Sequence, residues 1–443
     1  GTVTGSSYRL TDTQTGRGVL IDLGMFQGTE EITKMNYWAY AVDASQLDGV
    51  LLTHAHLDHC GRLPILIQMG YRGKIYMTEA TRMLTELTLR DAAKIAKDNT
   101  DAPPLFNDSD VDAILSQVKI VYYHQEFQVG KFKVQYIDAG HILGSASIII
   151  TDPTAPIGFQ THVFSGDIGN YPEDLVRPTE FPTAADVVVM ESTYGDRDHE
   201  PGDPIELLQK EINTIEETGG TLLIPAFALE KTQQLIHNLG HLKKDNKIKY
   251  ETPVFVDSPM AIRATDIYKQ FEDLYSEELA DHAKKSNPFY FPGLQMVLKG
   301  NKSKKIKMIE GPKVIVAGGG MMTGGRIIQH AATYLSNKSS RLLFSGYQGE
   351  ETLGREIEEG ADTVLIKERP VAVNATIGKL NGMSSHADQP KLIEWLEHIK
   401  GVSKVFITHG EDTSRIGLKS KIQDVLNITD ITMPKMNEEH KVE

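Results

Sequence analysis

Three histidines and one aspartate fall within six positions, His54-Ala55-His56-Leu57-Asp58-His59, directly after the apolar run Gly49-Val50-Leu51-Leu52-Thr53. The run reads as a buried strand, so the cluster sits where a strand leaves the core. Residues two apart in an extended segment point to the same side, so His54 and His56 can converge on one ion. A turn after them can aim Asp58 and His59 at a neighbouring point. Imidazole and carboxylate together suit Zn²⁺, with Mn²⁺ or Fe also compatible. A surface histidine cluster is the bland alternative, and it explains neither the preceding strand nor the aspartate. Two later loops offer further donors: Asp138-Ala139-Gly140-His141-Ile142-Leu143-Gly144-Ser145, and Ser165-Gly166-Asp167-Ile168-Gly169. A carboxylate such as Asp167 can bridge two cations ~3.5–4 Å apart, the separation used for in-line displacement at phosphorus.

The rest of the chain fits an α/β protein. Short apolar runs (Gly18 to Asp22, Ser147 to Ile150, Val187 to Met190) bounded by Gly, Asp or Pro predict strands in the first ~195 residues. Ala80 to Lys97 has helical periodicity, with Leu84, Leu87 and Ile95 as expected buried positions. From about residue 196 strand and helix alternate: Leu222-Leu223-Ile224 before a helix with Leu235, Ile236 and Leu239, then Val254-Phe255-Val256, Val314-Ile315-Val316 and Leu342-Leu343-Phe344. That rhythm predicts a parallel sheet with helices packed on it. Ala372 to Ile377 and Val405 to Ile407 read as strands of the tail, with a helix from about Gln389 to Ile399. With 443 residues, 46 Lys+Arg and 60 Asp+Glu, the net charge is −14, which argues against indiscriminate coating of nucleic acid or membrane. No apolar run of 18 or more residues, no apolar leader and a single cysteine, Cys60, predict a cytoplasmic protein without a membrane partner.

In motif order and approximate spacing, His54-x-His56-x-Asp58-His59, His141 and Asp167 resemble the metallo-β-lactamase superfamily, and Asp22 resembles its strand-end aspartate. The opening Gly1-Thr2-Val3-Thr4-Gly5-Ser6 is similar to that family's start. Later segments resemble the β-CASP branch, whose members hydrolyse phosphodiesters in RNA or DNA. These are Met190-Glu191-Ser192-Thr193-Tyr194-Gly195, Pro225 to Ala228, Asp257-Ser258-Pro259, Thr323 to Arg326, Gly346 to Glu350 with Gly354-Arg355, Met383 to Asp388, and Thr408-His409-Gly410-Glu411. The resemblance implies an αββα sandwich at residues 1–195 and 372–443, split by an inserted parallel-sheet α/β β-CASP domain at 196–371, with the active site in the cleft between them. Glu230-Lys231 departs from the Gly-Arg of many relatives, and Gly318 to Met321 stands where relatives often have serines.

The resemblance further implies two Zn²⁺ ions: one held by His54, His56 and His141, the other by Asp58, His59 and His409, with Asp167 bridging and a metal-activated water as nucleophile. His386 is then the general acid, and Glu191 accepts its hydrogen bond. Asp22 orients ligating imidazoles, and Asp388 makes a supporting bond. RNA-processing members carry histidine at the last motif where DNA-repair members usually have valine, so His409 favours RNA. The expected function is a dinuclear zinc ribonuclease cutting single-stranded RNA endonucleolytically, with trimming from a 5′ end left open. A DNA nuclease of the same architecture and a non-catalytic RNA-binding scaffold are the alternatives, and a homodimer is allowed. Lys302, Lys304 and Lys305, in the basic run Lys299 to Lys307 with Lys313 nearby, are candidate RNA contacts, as is Arg326. A second basic cluster covers Lys243-Lys244 and Lys247 to Lys249. Tyr194, Phe227 and Tyr347 are candidates for stacking on bases. The remaining histidines, His237, His241 and His282 among them, are assigned no role.

Overall fold

The structure, a computed structural model, describes residues 1–37, 43–98, 103–171, 175–199, 202–349, 351–380 and 382–442. Glu350, quoted above from a motif of the insert, lies outside them. Packing divides the chain into two units, residues 1–198 with 385–443, and residues 199–384.

The first unit contains two sheets. In one, the strands lie in the order Tyr8–Thr11, Gly18–Ile21, Leu47–Leu51, Ile75–Met77 and Val118–Ile120. The first pair is antiparallel and the others parallel. The other sheet runs Ile431–Thr432, Lys404–Ile407, Val187–Met190, Thr161–Phe164, Ala146–Thr151, Phe132–Asp138 and Phe127–Val129. It is parallel across its first four strands and antiparallel beyond.

Alternation along each strand explains how these sheets are covered. Val19, Ile21 and Leu51 pack inward against Tyr136, Ile148, Ile150 and Phe164 of the facing sheet. Leu20, Val50 and Leu52 point outward, where Leu89, Ala93, Val111 and Ile114 cover them. On the opposite outer face, Val163, Val188 and Met190 are covered by Leu392, Trp395, Leu396, Leu418 and Ile422. The result is an αββα sandwich.

One burial expectation fails. The helix Glu79–Asp98 buries Leu84 and Leu89, but Leu87 is half-buried and Ile95 is 62% exposed. Eleven residues is almost three full turns, so Ile95 does share the face of Leu84. The buried positions drift around the helix instead, and Ala93, nine residues after Leu84, lies on the opposite side from it.

The second unit is built on a six-stranded sheet in the order Leu294–Met296, Val254–Asp257, Lys313–Gly318, Thr221–Ala226, Arg341–Phe344 and Thr376–Lys379, parallel throughout. The helix Lys231–Lys244 buries Leu235, Ile236 and Leu239 completely, as expected. A hairpin, Thr363–Ile366 with Arg369–Ala372, accompanies the sheet. The C-terminal boundary therefore differs from the expected 371/372. Thr376–Lys379 pairs with Arg341–Phe344, which ties the segment after 371 to this sheet and moves the boundary to 384/385. Among the described residues, no helix is long and apolar enough to cross a membrane.

Candidate active site

Every residue expected as a metal ligand comes together in the first unit. The strand Leu47–Leu51 delivers Thr53 to His56 at its C-terminal end, and the short helix Leu57–Cys60 carries Asp58 and His59. His141 and Asp167 come from loops following Phe132–Asp138 and Thr161–Phe164, and His409 follows Lys404–Ile407. One group joins His54, His56, His141 and Asp167, and a second joins Asp58, His59 and His409. Asp167 also touches the second group, with Oδ1 3.2 Å from His59 Nε2 and 3.5 Å from His409 Nε2. Its Oδ2 lies 3.4 Å from His54 Nε2 and 3.5 Å from His141 Nε2.

Hydrogen bonds behind the rings determine which nitrogens face inward. Asp22 accepts from Thr53 N and Thr53 Oγ1, both at 2.8 Å, and from His59 Nδ1 at 2.7 Å. Since Thr53 Oγ1 gives its hydrogen to Asp22, it accepts from His54 Nδ1 at 3.0 Å. His141 Nδ1 donates to the Ser385 carbonyl at 3.0 Å, and His409 Nδ1 meets Ser6 Oγ at 2.7 Å. These bonds leave lone pairs on Nε2 of His54, His59 and His141. Asp22 and His409 both hold left-handed backbone, with φ of 57° and 43°. A non-glycine residue is strained there, and such strain concentrates at functional sites.

The donor set fits divalent cations. Both Asp167 oxygens and His59 Nε2 are buried without a hydrogen-bond partner. His56 Nδ1 lies 3.1 Å from both His54 Nε2 and His141 Nε2. Facing lone pairs at that spacing repel unless a cation lies between them. Burial pushes His54, His56 and His141 well below the usual histidine range, and neighbouring imidazoles add to it, so all three are neutral donors. Burial opposes the charge of Asp167, but His409, His59 and His54 override it and hold the carboxylate ionised.

His386 sits at the rim of this cluster because residues 385–387 pair with the Asp167 loop. Asn170 N donates to Ser385 O, and Ala387 N to Ile168 O. Its Nδ1 is 3.2 Å from both Glu191 oxygens and its Nε2 is 3.9 Å from Asp167 Oδ2. Burial disfavours its charge, yet Glu191, with Asp167 and Asp58, raises its pKa to about 9. Glu191 is itself pinned by Ile168 N at 2.6 Å and Thr193 N at 3.2 Å. It reaches the cluster through His386. Asp388 caps the helix Gln389–Glu397 by accepting from Lys391 N.

The expected RNA contacts divide. Lys302, Lys304 and Lys305 are exposed. Arg326 is committed within its own unit, donating to Asp257 Oδ1 at 2.5 Å and to the carbonyls of Val297 and Leu298 at 2.7 Å. That corrects the expectation of a free cation there. Lys243 and Lys313 are likewise buried, with their ammonium groups on backbone carbonyls. Tyr194, Phe227 and Tyr347 are all half-buried. Glu230 has φ of 65°, which explains why relatives place glycine there. Its side chain accepts from Tyr268 OH at 2.5 Å.

Three supporting groups escaped sequence reasoning: Ser6, the Thr53 hydroxyl and the Ser385 carbonyl. All three lay inside quoted segments, but nothing in the pattern distinguished them.

Comparison with known proteins agrees with this architecture. Family models match for the metallo-beta-lactamase superfamily over residues 1–179, the Beta-Casp domain over 232–357, and the Zn-dependent metallo-hydrolase RNA specificity domain over 370–434. Ribonuclease TTHA0252 of Thermus thermophilus is 37% identical over 425 residues, 94% of this chain and 92% of that protein. An RNase J-like protein of Methanocaldococcus jannaschii is 29% identical over 424 residues, 94% of this chain and 92% of its own. A crystal structure of a protein of unknown function from Enterococcus faecalis V583 superposes with a TM-score of 0.53 at 13% identity, covering 99% of this chain and 96% of that one. At that identity it speaks for the fold alone.

Proposed function

The chain belongs to the metallo-beta-lactamase superfamily, in the group with an inserted Beta-Casp domain, and from that membership we propose that it is a metal-dependent nuclease acting on single-stranded RNA. The observation that carries the metal chemistry is Asp167, a buried carboxylate with neither oxygen hydrogen-bonded, touching imidazoles of two separate groups. In this reading His54, His56 and His141 would hold one Zn²⁺ and Asp58, His59 and His409 another, with Asp167 a candidate ligand in reach of both groups. When bound, such a pair supplies a nucleophile activated at neutral pH and neutralises charge on the non-bridging phosphate oxygens.

The protein's own groups do the rest. Glu191 holds His386 protonated with Nε2 toward the cluster, and that proton passes to the departing oxygen as the P–O bond breaks. His386 is left neutral and regains its proton from solvent. Asp22, Ser6 and the Ser385 carbonyl keep the ligating rings in the tautomer that presents a lone pair. Asp388 supports the site from behind as a helix cap. Substrate class is supported by the ribonuclease names of the relatives and by the RNA specificity domain match. Cutting is internal, with trimming from a 5′ end as a second mode, and exposed Lys302, Lys304 and Lys305 supply phosphate contacts. The compartment in this reading is the cytoplasm.

The test is hydrolysis of matched RNA and DNA oligonucleotides, each with a 5′ phosphate or a 5′ hydroxyl, with product lengths resolved. RNA cut internally irrespective of its 5′ group supports the proposal. Faster cutting of DNA would transfer it to the DNA-repair members of the same architecture.

A further inference from the structure

We propose that the unit of residues 199–384 contains a divalent-metal site of its own, formed by His237, His241 and His282 and suited to Zn²⁺. It is independent of the ligand cluster described above and does not rest on the nuclease reading.

His237 and His241 are four residues apart on the helix Lys231–Lys244, a spacing that puts two side chains on one helical face. His282 comes from a different element, Glu277–Ala283. The three rings converge, with centroids 4.4, 5.2 and 5.1 Å apart. His237 Nε2 lies 3.0 Å from His241 Nε2 and 3.1 Å from His282 Nδ1.

A neutral imidazole nitrogen carries one hydrogen or one lone pair, not both. His237 Nε2 can therefore satisfy only one of its two neighbours by direct hydrogen bonding. A single cation facing three lone pairs satisfies all of them. Nitrogens held ~2.0–2.1 Å from zinc lie ~3.3–3.4 Å apart at tetrahedral angles and ~2.9 Å apart at right angles. The observed 3.0 and 3.1 Å fall between these values. The protein supplies its own yardstick: His56 Nδ1 stands 3.1 Å from both His54 Nε2 and His141 Nε2.

The surroundings of His237 leave the cluster as its polar environment. His237 is 2% exposed, and its other nitrogen, Nδ1, is buried without a hydrogen-bond partner. Among the described residues the cluster is thus the only polar contact of that ring. His241 and His282 are partly exposed, which leaves room for a water as fourth ligand. The site would staple Glu277–Ala283 to Lys231–Lys244, closing a long stretch of chain.

The experiment uses the full chain, equilibrated with Zn²⁺ and dialysed, with metal per chain counted by atomic emission. His241→Gln and His282→Gln, both at partly exposed positions, should each lose one equivalent, in the intact chain and equally in an Asp167→Asn background. Zinc at a hundredfold excess over its dissociation constant should raise the melting midpoint of the Asp167→Asn chain by ~5–10 °C, and adding either histidine substitution should abolish that rise. Equal metal content in the parent and both variants, or a rise that survives both substitutions, overturns the proposal.

Discussion

Replacing Asp22 by Asn tests whether the carboxylate sets the tautomer of His59. In the native arrangement one oxygen takes the Thr53 amide and the other takes Thr53 Oγ1 and His59 Nδ1. An asparagine has a single carbonyl oxygen. Because Thr53 N can only donate, that oxygen must face it; the opposite orientation buries two donors against each other at a cost of ~1–3 kcal/mol. The NH₂ group then faces His59 Nδ1, which must become an acceptor, and the ring proton moves to Nε2. That proton points at Asp167 Oδ1, 3.2 Å away, where the lone pair had been. His59 keeps its position and loses its capacity to ligate. Loss of a supporting bond behind a metal-bound histidine costs ~10–100-fold in affinity, and a forced tautomer belongs at the upper end. That is ~2.7 kcal/mol for one of the two ions. Competition with a fluorescent chelator should therefore show one weakened equivalent and one nearly unchanged. The metal-free chain should lose ~1–3 kcal/mol of stability, because the hydroxyl hydrogen of buried Thr53 loses the oxygen that accepted it. Unaltered affinity for both ions would falsify the tautomer argument.

Further outcomes follow from the same geometry. His386→Ala should retain both ions and lose ~10²–10⁴-fold in cleavage rate, whereas Asp167→Asn should lower metal content and rate together; atomic emission and single-turnover kinetics separate the two. Glu191→Gln removes the carboxylate that raises His386, so the acid form disappears at lower pH and the alkaline limb of the pH–rate profile moves down by ~1–3 units. An unmoved limb in that variant would remove Glu191 from the acid's control. In the other unit, Asp257 is buried yet ionised, because His330, Ser303 and Arg326 outweigh the burial that opposes its charge. Its stabilisation is present above the ordinary carboxylate pKa and vanishes as pH falls through the lowered one. Asp257→Asn should destabilise that unit by ~3 kcal/mol in denaturant titrations near neutral pH.

What could be read from sequence was whatever is local. The ligand-rich segment after Leu47–Leu51 and the strand–helix alternation near Leu222 and Val254 depend on neighbours a few positions away, and period alone exposes them. Ile95 shows where period stops helping: it shares the face of Leu84, but the buried stripe has moved round the helix before residue 95. Arg326, Lys243 and Lys313 show that a charge pattern does not distinguish a free cation from one bonded to backbone carbonyls. Ser6 and Ser385 act on rings 403 and 244 positions away, a separation at which no local pattern operates. The tail strand expected over Ala372 to Ile377 lies instead at Thr376–Lys379, after the hairpin strand that ends at Ala372, and neither its partner nor its domain was visible.

The bonds around Ser385 and His409 also set a timetable. The strand Lys404–Ile407 docks beside Val187–Met190, more than two hundred residues earlier in the chain. Until the ribosome has released that late strand, the pocket lacks His409, which follows it. On the reading proposed above, a nascent copy whose N-terminal histidines have already come together would still lack its last metal ligand.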